Sequence, residues 1–236
     1  GSYRSGQENI SILLYRQEVP FFTDGALSIY TQNATVSIGG SSEIDGDDYH
    51  VPVDFSCQGA GCSGSIGSMN GTEGVYFEYN DYSLNDNSPG KGKDPSKNIN
   101  PYPVKTGGGN STKNEYWIDF AQRLIPKADR TVQGSIASTD TLGTRSSPEI
   151  TVVNGTSTIN GNVDGAGILI VQTGSHMTGT FHFEGLVIQL VDEDDPNADL
   201  FSTGTPNVFG TVIVAGSGSA NVDITGNPEI KYSYEA

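Results

Sequence analysis

Basic and sulfur-containing residues are scarce in this 236-residue chain: Lys and Arg total 12 against 28 Asp and Glu, with two cysteines, two methionines and three histidines. The formal charge of −16 repels duplex nucleic acid and anionic lipid at long range. Lys91, Lys93, Lys97, Lys105 and Lys113 are scattered through a Gly, Asn and Pro stretch and read as solvated loop charges. Nucleic acid is therefore not an expected partner. No apolar run reaches the ~18 residues of a membrane span, so a membrane is expected only through an N-terminal helix that this chain lacks. Ala, Glu, Lys and Leu are too few for a helical bundle or coiled coil. Of the three histidines, His176 and His182 lie six apart without a carboxylate or cysteine read as a metal partner, and they are expected to be surface or satisfied side chains. Neither a G-x-S-x-G elbow nor a phosphate-binding G-x-x-x-x-G-K-[ST] loop occurs.

Glycine, by contrast, is plentiful at 31 residues, about twice the usual share. Bursts of Val, Ile, Tyr and Phe between Gly and Asn turns predict short strands. A repeat begins near residue 149, with strong segments P-E-I-T-V-V, A-G-I-L-I-V, E-G-L-V-I-Q-L-V, F-G-T-V-I-V-A and P-E-I-K-Y-S. Ile150 to Ile168 is 18 residues, Ile168 to Leu186 is 18 again, and Leu186 to Thr211 is 25. Weaker strands end in turn chemistry at 158–161, 177–179 and 224–227, and Ile44-Asp45-Gly46 has the same character. A strong strand, a turn, a weak strand and a turn at this period predict a mainly β, parallel β-solenoid whose coils stack to bury a core. The strong strands are apolar at consecutive positions, so something is expected to cover their outer face. Two helices are candidates. One spans 5–18, with Ile10, Leu13 and Leu14 on one face. The other spans 112–125, with Thr112 and Glu115 at capping-box spacing, an apolar face of Tyr116, Trp117, Phe120, Ala121, Leu124 and Ile125, and Pro126 as its stop. The expected organisation is a single domain over 1–236. It has coils at 26–48 and 146–236 and a loop-rich insert at 49–145 that carries the second helix.

Cys57 and Cys62 bracket Q-G-A-G. No further soft ligands exist to complete a metal site, so a local disulfide is the expected state, favouring an oxidising compartment. Such a short ring rigidifies a loop more than it holds a fold together. Two acidic groups invite calcium: Asp45, Asp47 and Asp48 with Asp54 beyond, and Asp192, Glu193, Asp194, Asp195 and Asp199. Crowded hard oxygen ligands suit Ca²⁺, while solvated acidic turns have the same composition. A parallel β-helix also raises polysaccharide-active enzymes. Asp194-Asp195 sits in an insert beside Pro196, E-I-K at 229–231 lacks an arginine, and none of the five arginines lies in a coil strand. A carbohydrate lyase or hydrolase using Asp194, Asp195 and calcium is thus the alternative, with a phage-fibre-like fragment as a third.

Three stretches resemble the extracellular part of PilX-like type IV pilus assembly proteins of bacteria, which are minor-pilin-like. They are A-L-S-I-Y-T-Q-N-A-T-V-S-I-G-G-S-S-E-I-D-G-D-D (26–48), S-S-P-E-I-T-V-V-N-G-T-S-T-I-N-G-N-V-D-G-A-G-I-L-I-V (146–171), and F-H-F-E-G-L-V-I (181–188) through I-T-G-N-P-E-I-K-Y-S-Y-E-A (224–236). Together they cover nearly half the chain. The resemblance implies an N-terminal membrane helix, of which 5–18 would be the stub, and export by the pilus machinery. Repeat strands with inserts and no catalytic set make a non-enzymatic role at the cell surface the expectation, with other pilus subunits or a surface ligand as partners. Residues 49–113 of the insert and the 192–199 loop are then the expected contact surfaces, and a chain lacking 60–110 is expected to fold but to lose surface attachment.

Overall fold

The computed structural model describes residues 23–53, 67, 71–86, 99–100, 105–133, 135–136, 140–155, 158–172, 176–201 and 203–236. The helix expected at 5–18, Asp54 and the Cys57–Cys62 pair lie outside them. The described chain is mainly β, with long parallel sheets and one α-helix, Ser111–Leu124 (α1). Its strands form one twelve-stranded sheet and two four-stranded sheets among the described residues.

Three long strands, Val163–Val171, Phe181–Val191 and Asn207–Gly216, form the centre of the large sheet. Their register follows the sequence period: Ile150 pairs with Ile168, Ile168 with Leu186, and Leu186 with Thr211. The 25-residue step is longer because Asn197–Phe201 forms a strand of its own in a four-stranded sheet. Ile159 likewise pairs with Met177 in the other small sheet.

At one glycine each long strand departs from the usual extended β conformation, and that point is termed its corner. Gly167, Gly185 and Gly210 stack in register with φ of 124°, 133° and 138°, a region that L-residues rarely occupy. A Cβ on Gly185 would stand 2.1 Å from the Gly167 carbonyl oxygen, and one on Gly210 would stand 2.0 Å from that of Gly185. The outer two of these strands change a neighbour across the corner, whereas Phe181–Val191 keeps the same two throughout. Residues 207–209 pair with Glu229–Lys231, whereas 212–214 pair with Gly25–Ile29.

Beyond the corner, alternate side chains bury on opposite faces of the sheet. Val153, Leu169, Val171, Val187, Val212 and Val214 join one apolar cluster that draws on all three sheets, through Val36 and Ile38 of one small sheet and Ile159 and Met177 of the other. Val152, Ile170, Ile188 and Ile213 bury on the opposite face beneath Trp117, Phe120 and Ala121 of α1. This two-sided burial explains the unbroken apolar runs. Each fully buried side chain of this size contributes about 1.5–3 kcal/mol. The helix begins one residue before the expected Thr112, because Asn110 is the cap: its Oδ1 accepts from the Thr112 amide at 3.0 Å and the Thr112 hydroxyl at 2.7 Å. Lys113 pins this end to the sheet, with Nζ 3.0 Å from Asp24, 2.9 Å from the Tyr76 hydroxyl and 3.2 Å from Glu78. Past Leu124 the chain tightens into a 3₁₀ turn, Ile125–Lys127.

The ladder does not follow chain order. Gly25–Ile29 lies beside Asn207–Gly216, Glu73–Phe77 beside Gly25–Ile29, and Lys105–Thr106 beside Glu73–Phe77. At the opposite end Arg130–Val132 lies beside Glu149–Val153. Eight strands thus span about 34 Å at ~4.8 Å per step, and the segment carrying α1 brings the chain from one end to the other. Residues 49–145, expected as an insert, supply Glu73–Phe77, Ser83–Asp86, Ile99–Asn100, Lys105–Thr106, Arg130–Val132, Ser135–Ile136 and Thr141–Leu142 to these sheets. Val75 and Phe77 are in the core. Their pairing partners are remote in sequence, which leaves no local repeat to read.

Candidate functional site

Before the glycine corner, the large sheet buries an unusual set of polar side chains. His182, Glu184, Lys231 and Asp45 are each at most 3% exposed. The register places Glu184 opposite Phe209, Phe209 opposite Lys231, and Lys231 opposite Asp45. Two covering stretches hide them, residues 46–53 and 232–236. Tyr232 donates its amide to the Asp45 carbonyl at 2.9 Å, and Tyr49 donates to that of Tyr232 at 2.8 Å. The Tyr234 amide donates to Asp48 Oδ1 at 2.9 Å and the Val51 amide to Glu235 Oε1 at 2.8 Å. His50 lies 3.1 Å from the other Glu235 oxygen.

Arg145 clamps this cover from the side. Its guanidinium forms a two-point bond to Glu184, at 2.5 Å and 2.6 Å, and also donates to the carbonyls of Val53 and Pro52. His182 Nε2 stands 2.9 Å from Glu184 Oε1. Burial works to raise the Glu184 carboxyl, but the hydrogen bonds and charges of His182 and Arg145 outweigh it and hold the group below the usual glutamate value. Glu235 is also lowered, its slight burial outweighed by His50 and the Val51 amide. Asp45 goes the other way: burial raises it despite bonds from the Asp47 amide and the Tyr49 hydroxyl at 2.7 Å. Lys231 Nζ is 2.8 Å from Glu229 and lies over the Tyr49 and Phe209 rings.

A cleft of about 520 Å³ opens between this cover and α1. Gly167, Gly185 and Gly210 border it along the corner. Ile168, Leu186, Trp117, Pro148 and Tyr232–Ala236 also line it, with Arg145 and Glu184 at its edge.

The residues expected to bind calcium are differently engaged. Asp45, on the sheet, and Asp48, in the cover, are buried and hydrogen-bonded, with Asp47 between them. Asp192 Oδ1 accepts from the amides of Asp194 and Asp195 at 3.0 Å and 2.8 Å, closing its own turn. Asp199 falls in the Asn197–Phe201 strand. Among the described residues no group of three or more His, Cys, Asp or Glu side chains converges as a metal site. Arg145, Glu184 and Lys231 were not singled out by sequence reasoning. Arg145 and Glu184 are 39 residues apart, and no motif links them.

No protein family, curated protein or solved structure matches this chain.

Proposed function

We propose that this chain is a non-catalytic structural and binding domain of the bacterial cell surface, a minor-pilin-like component of type IV pilus assembly or adhesion. In this reading the three sheets are the walls of one parallel β-solenoid, and the glycine columns are its corners. Two features support that closure: the single apolar cluster fed by all three sheets, and the second glycine series Gly161, Gly179 and Gly204, with φ of 101°, 93° and 109°.

The observation that carries the non-catalytic reading is the state of the two carboxylates bordering the cleft. Glu184 is held by Arg145 and His182, and Glu235 by His50 and the Val51 amide; both are lowered. Glycoside hydrolysis needs a carboxylic acid that keeps its proton near neutral pH, opposite a second carboxylate. Carboxylates held ionised by Arg145, His182 and His50 do not supply that acid. A rigid stack with charge on its exposed turns suits a surface that partners grip. The partners are then other pilus subunits or a surface ligand.

Fractionation of the source bacterium tests this. The protein is expected in the sheared surface fraction, cross-linking to pilus subunits. Recovery from the cytosol alone sinks the localisation. Chelator-sensitive release of products from uronate polymers by the purified chain sinks the non-catalytic part.

A further inference from the structure

The helix α1 does not cover the whole wall beneath it. Ile170 and Ile188 are fully buried under it, but Ile168 and Leu186, two residues earlier on the same strands, are only partly buried. This leaves an uncovered apolar strip immediately beyond Gly167 and Gly185. The glycine column has no side chains to fill the corner, and the Tyr232–Ala236 segment forms the far bank. We propose that the resulting cleft is a binding site for a neutral amphiphile, a mostly apolar small molecule with one or two hydroxyl or carbonyl groups.

Three observations define that chemistry. The volume, about 520 Å³, is that of a site for a small organic molecule. Two residues bordering the cleft, Thr23 and the 6%-exposed Ser233, carry buried hydroxyl oxygens that have no hydrogen-bond partner among the described residues. Such orphaned groups are rare in folded chains and need an explanation; a ligand hydroxyl or carbonyl reached by a change of side-chain rotamer supplies one. The charge pattern disfavours an anion: Arg145 is engaged by Glu184 and two carbonyl oxygens, Glu235 stands at the rim, and the chain carries −16 overall. A fatty acid anion or a phosphate is therefore the wrong partner, and a fatty alcohol or a similar neutral molecule the right one.

N-phenyl-1-naphthylamine, a neutral apolar dye, is the probe for the full chain. Its fluorescence is expected to rise saturably, with one site per chain and a Kd of about micromolar order. 1-Decanol is expected to displace it, and decanoate at pH 8 to need roughly tenfold more. Leu186→Trp and Ile168→Trp each fill the strip, and each is expected to weaken dye binding at least about tenfold; the two variants guard against one failing to fold. Ser233→Ala is expected to weaken decanol about fivefold while leaving dye affinity within about twofold, since it removes a hydrogen bond and not the apolar wall. The proposal is overturned if the folded wild-type chain binds no dye, as when its own residues fill the cleft. It is also overturned if folded variants bind dye as wild type does, or if decanoate competes as well as decanol.

Discussion

Replacing Gly185 by alanine tests the middle of the glycine column. The residue has φ 133°, and an added Cβ would sit 2.1 Å from the Gly167 carbonyl oxygen and 3.2 Å from the Gly167 nitrogen. Holding an L-residue in that backbone region costs about 1–3 kcal/mol. The contact with Gly167 is with main chain of an adjacent rung, so relief requires two central strands to part. Overpacking of this kind adds about 1–3 kcal/mol. The sum, about 2–6 kcal/mol, is a large part of the 5–15 kcal/mol typical of a whole domain. In urea, with a slope of about 1–3 kcal/mol per molar, Gly185→Ala should lower the unfolding midpoint by about 0.7 M or more. Gly108, where a Cβ would meet nothing within 4 Å, is the control: Gly108→Ala should change stability by no more than about 1 kcal/mol. A Gly185→Ala midpoint within about 0.2 M of wild type, at unchanged slope, would refute the stacked corner.

Other expectations concern the cover and the ladder ends. Arg145→Ala leaves Glu184 buried beside His182 alone. Breaking a buried pair costs about 3–5 kcal/mol, and the 35% exposure of the Arg145 side chain brings the expected loss to about 2–3 kcal/mol by urea titration at pH 7. Because the folded-state pKa of Glu184 is lowered from 4.5, its contribution is present above that value and lost as pH falls through the folded pKa. The raised Asp45 acts in the opposite sense. The wild-type midpoint should therefore hold from pH 8 to about 5.5 and drop below about 4.5, with a shallower drop in Arg145→Ala; equal drops would count against the clamp. Deleting 60–110 removes Val75 and Phe77 from the core and Glu73–Phe77 from its pairing with Gly25–Ile29, so the shortened chain should lose cooperative unfolding in circular dichroism. A sharp native-like transition would reverse that conclusion. Millimolar calcium should leave the melting temperature within about 1 °C, because Asp45, Asp48 and Asp192 already have hydrogen-bonded partners; a rise of several degrees would support calcium binding instead.

Register was legible because glycine and short unbroken apolar runs recur together. Ile150, Ile168, Leu186 and Thr211 stand in one column at the spacings that the sequence displays. The helix was legible from its apolar face, but its start was not: Asn110 and Thr112 both suit a cap, and the choice depended on the Asn110 amide reaching Glu78 Oε1 at 2.7 Å. Turn chemistry alone misassigned sheets. Ile224-Thr225-Gly226 resembles Ile159-Asn160-Gly161, yet Ile224 pairs with Ile38 and Ile159 with Met177, in different sheets. Glu229–Lys231 resembles the strands after the corner and lies before it, against Asn207–Phe209. The order of the ladder was illegible for a general reason: parallel neighbours need no shared turn, so nothing local marks Gly25–Ile29 as the neighbour of Val212–Val214. The Arg145–Glu184 clamp is hidden for the same reason, since each partner alone reads as an ordinary surface charge.

Amide nuclear Overhauser contacts across the large sheet probe the architecture most directly. In-register parallel stacking predicts interstrand contacts at a constant offset of 18 residues between 163–171 and 181–189, and of 25 between 184–191 and 209–216, together with contacts from 27–29 to 212–214. Strong Hα–Hα contacts with opposing residue order, the mark of antiparallel pairing, or no contact between 27–29 and 212–214, would contradict it.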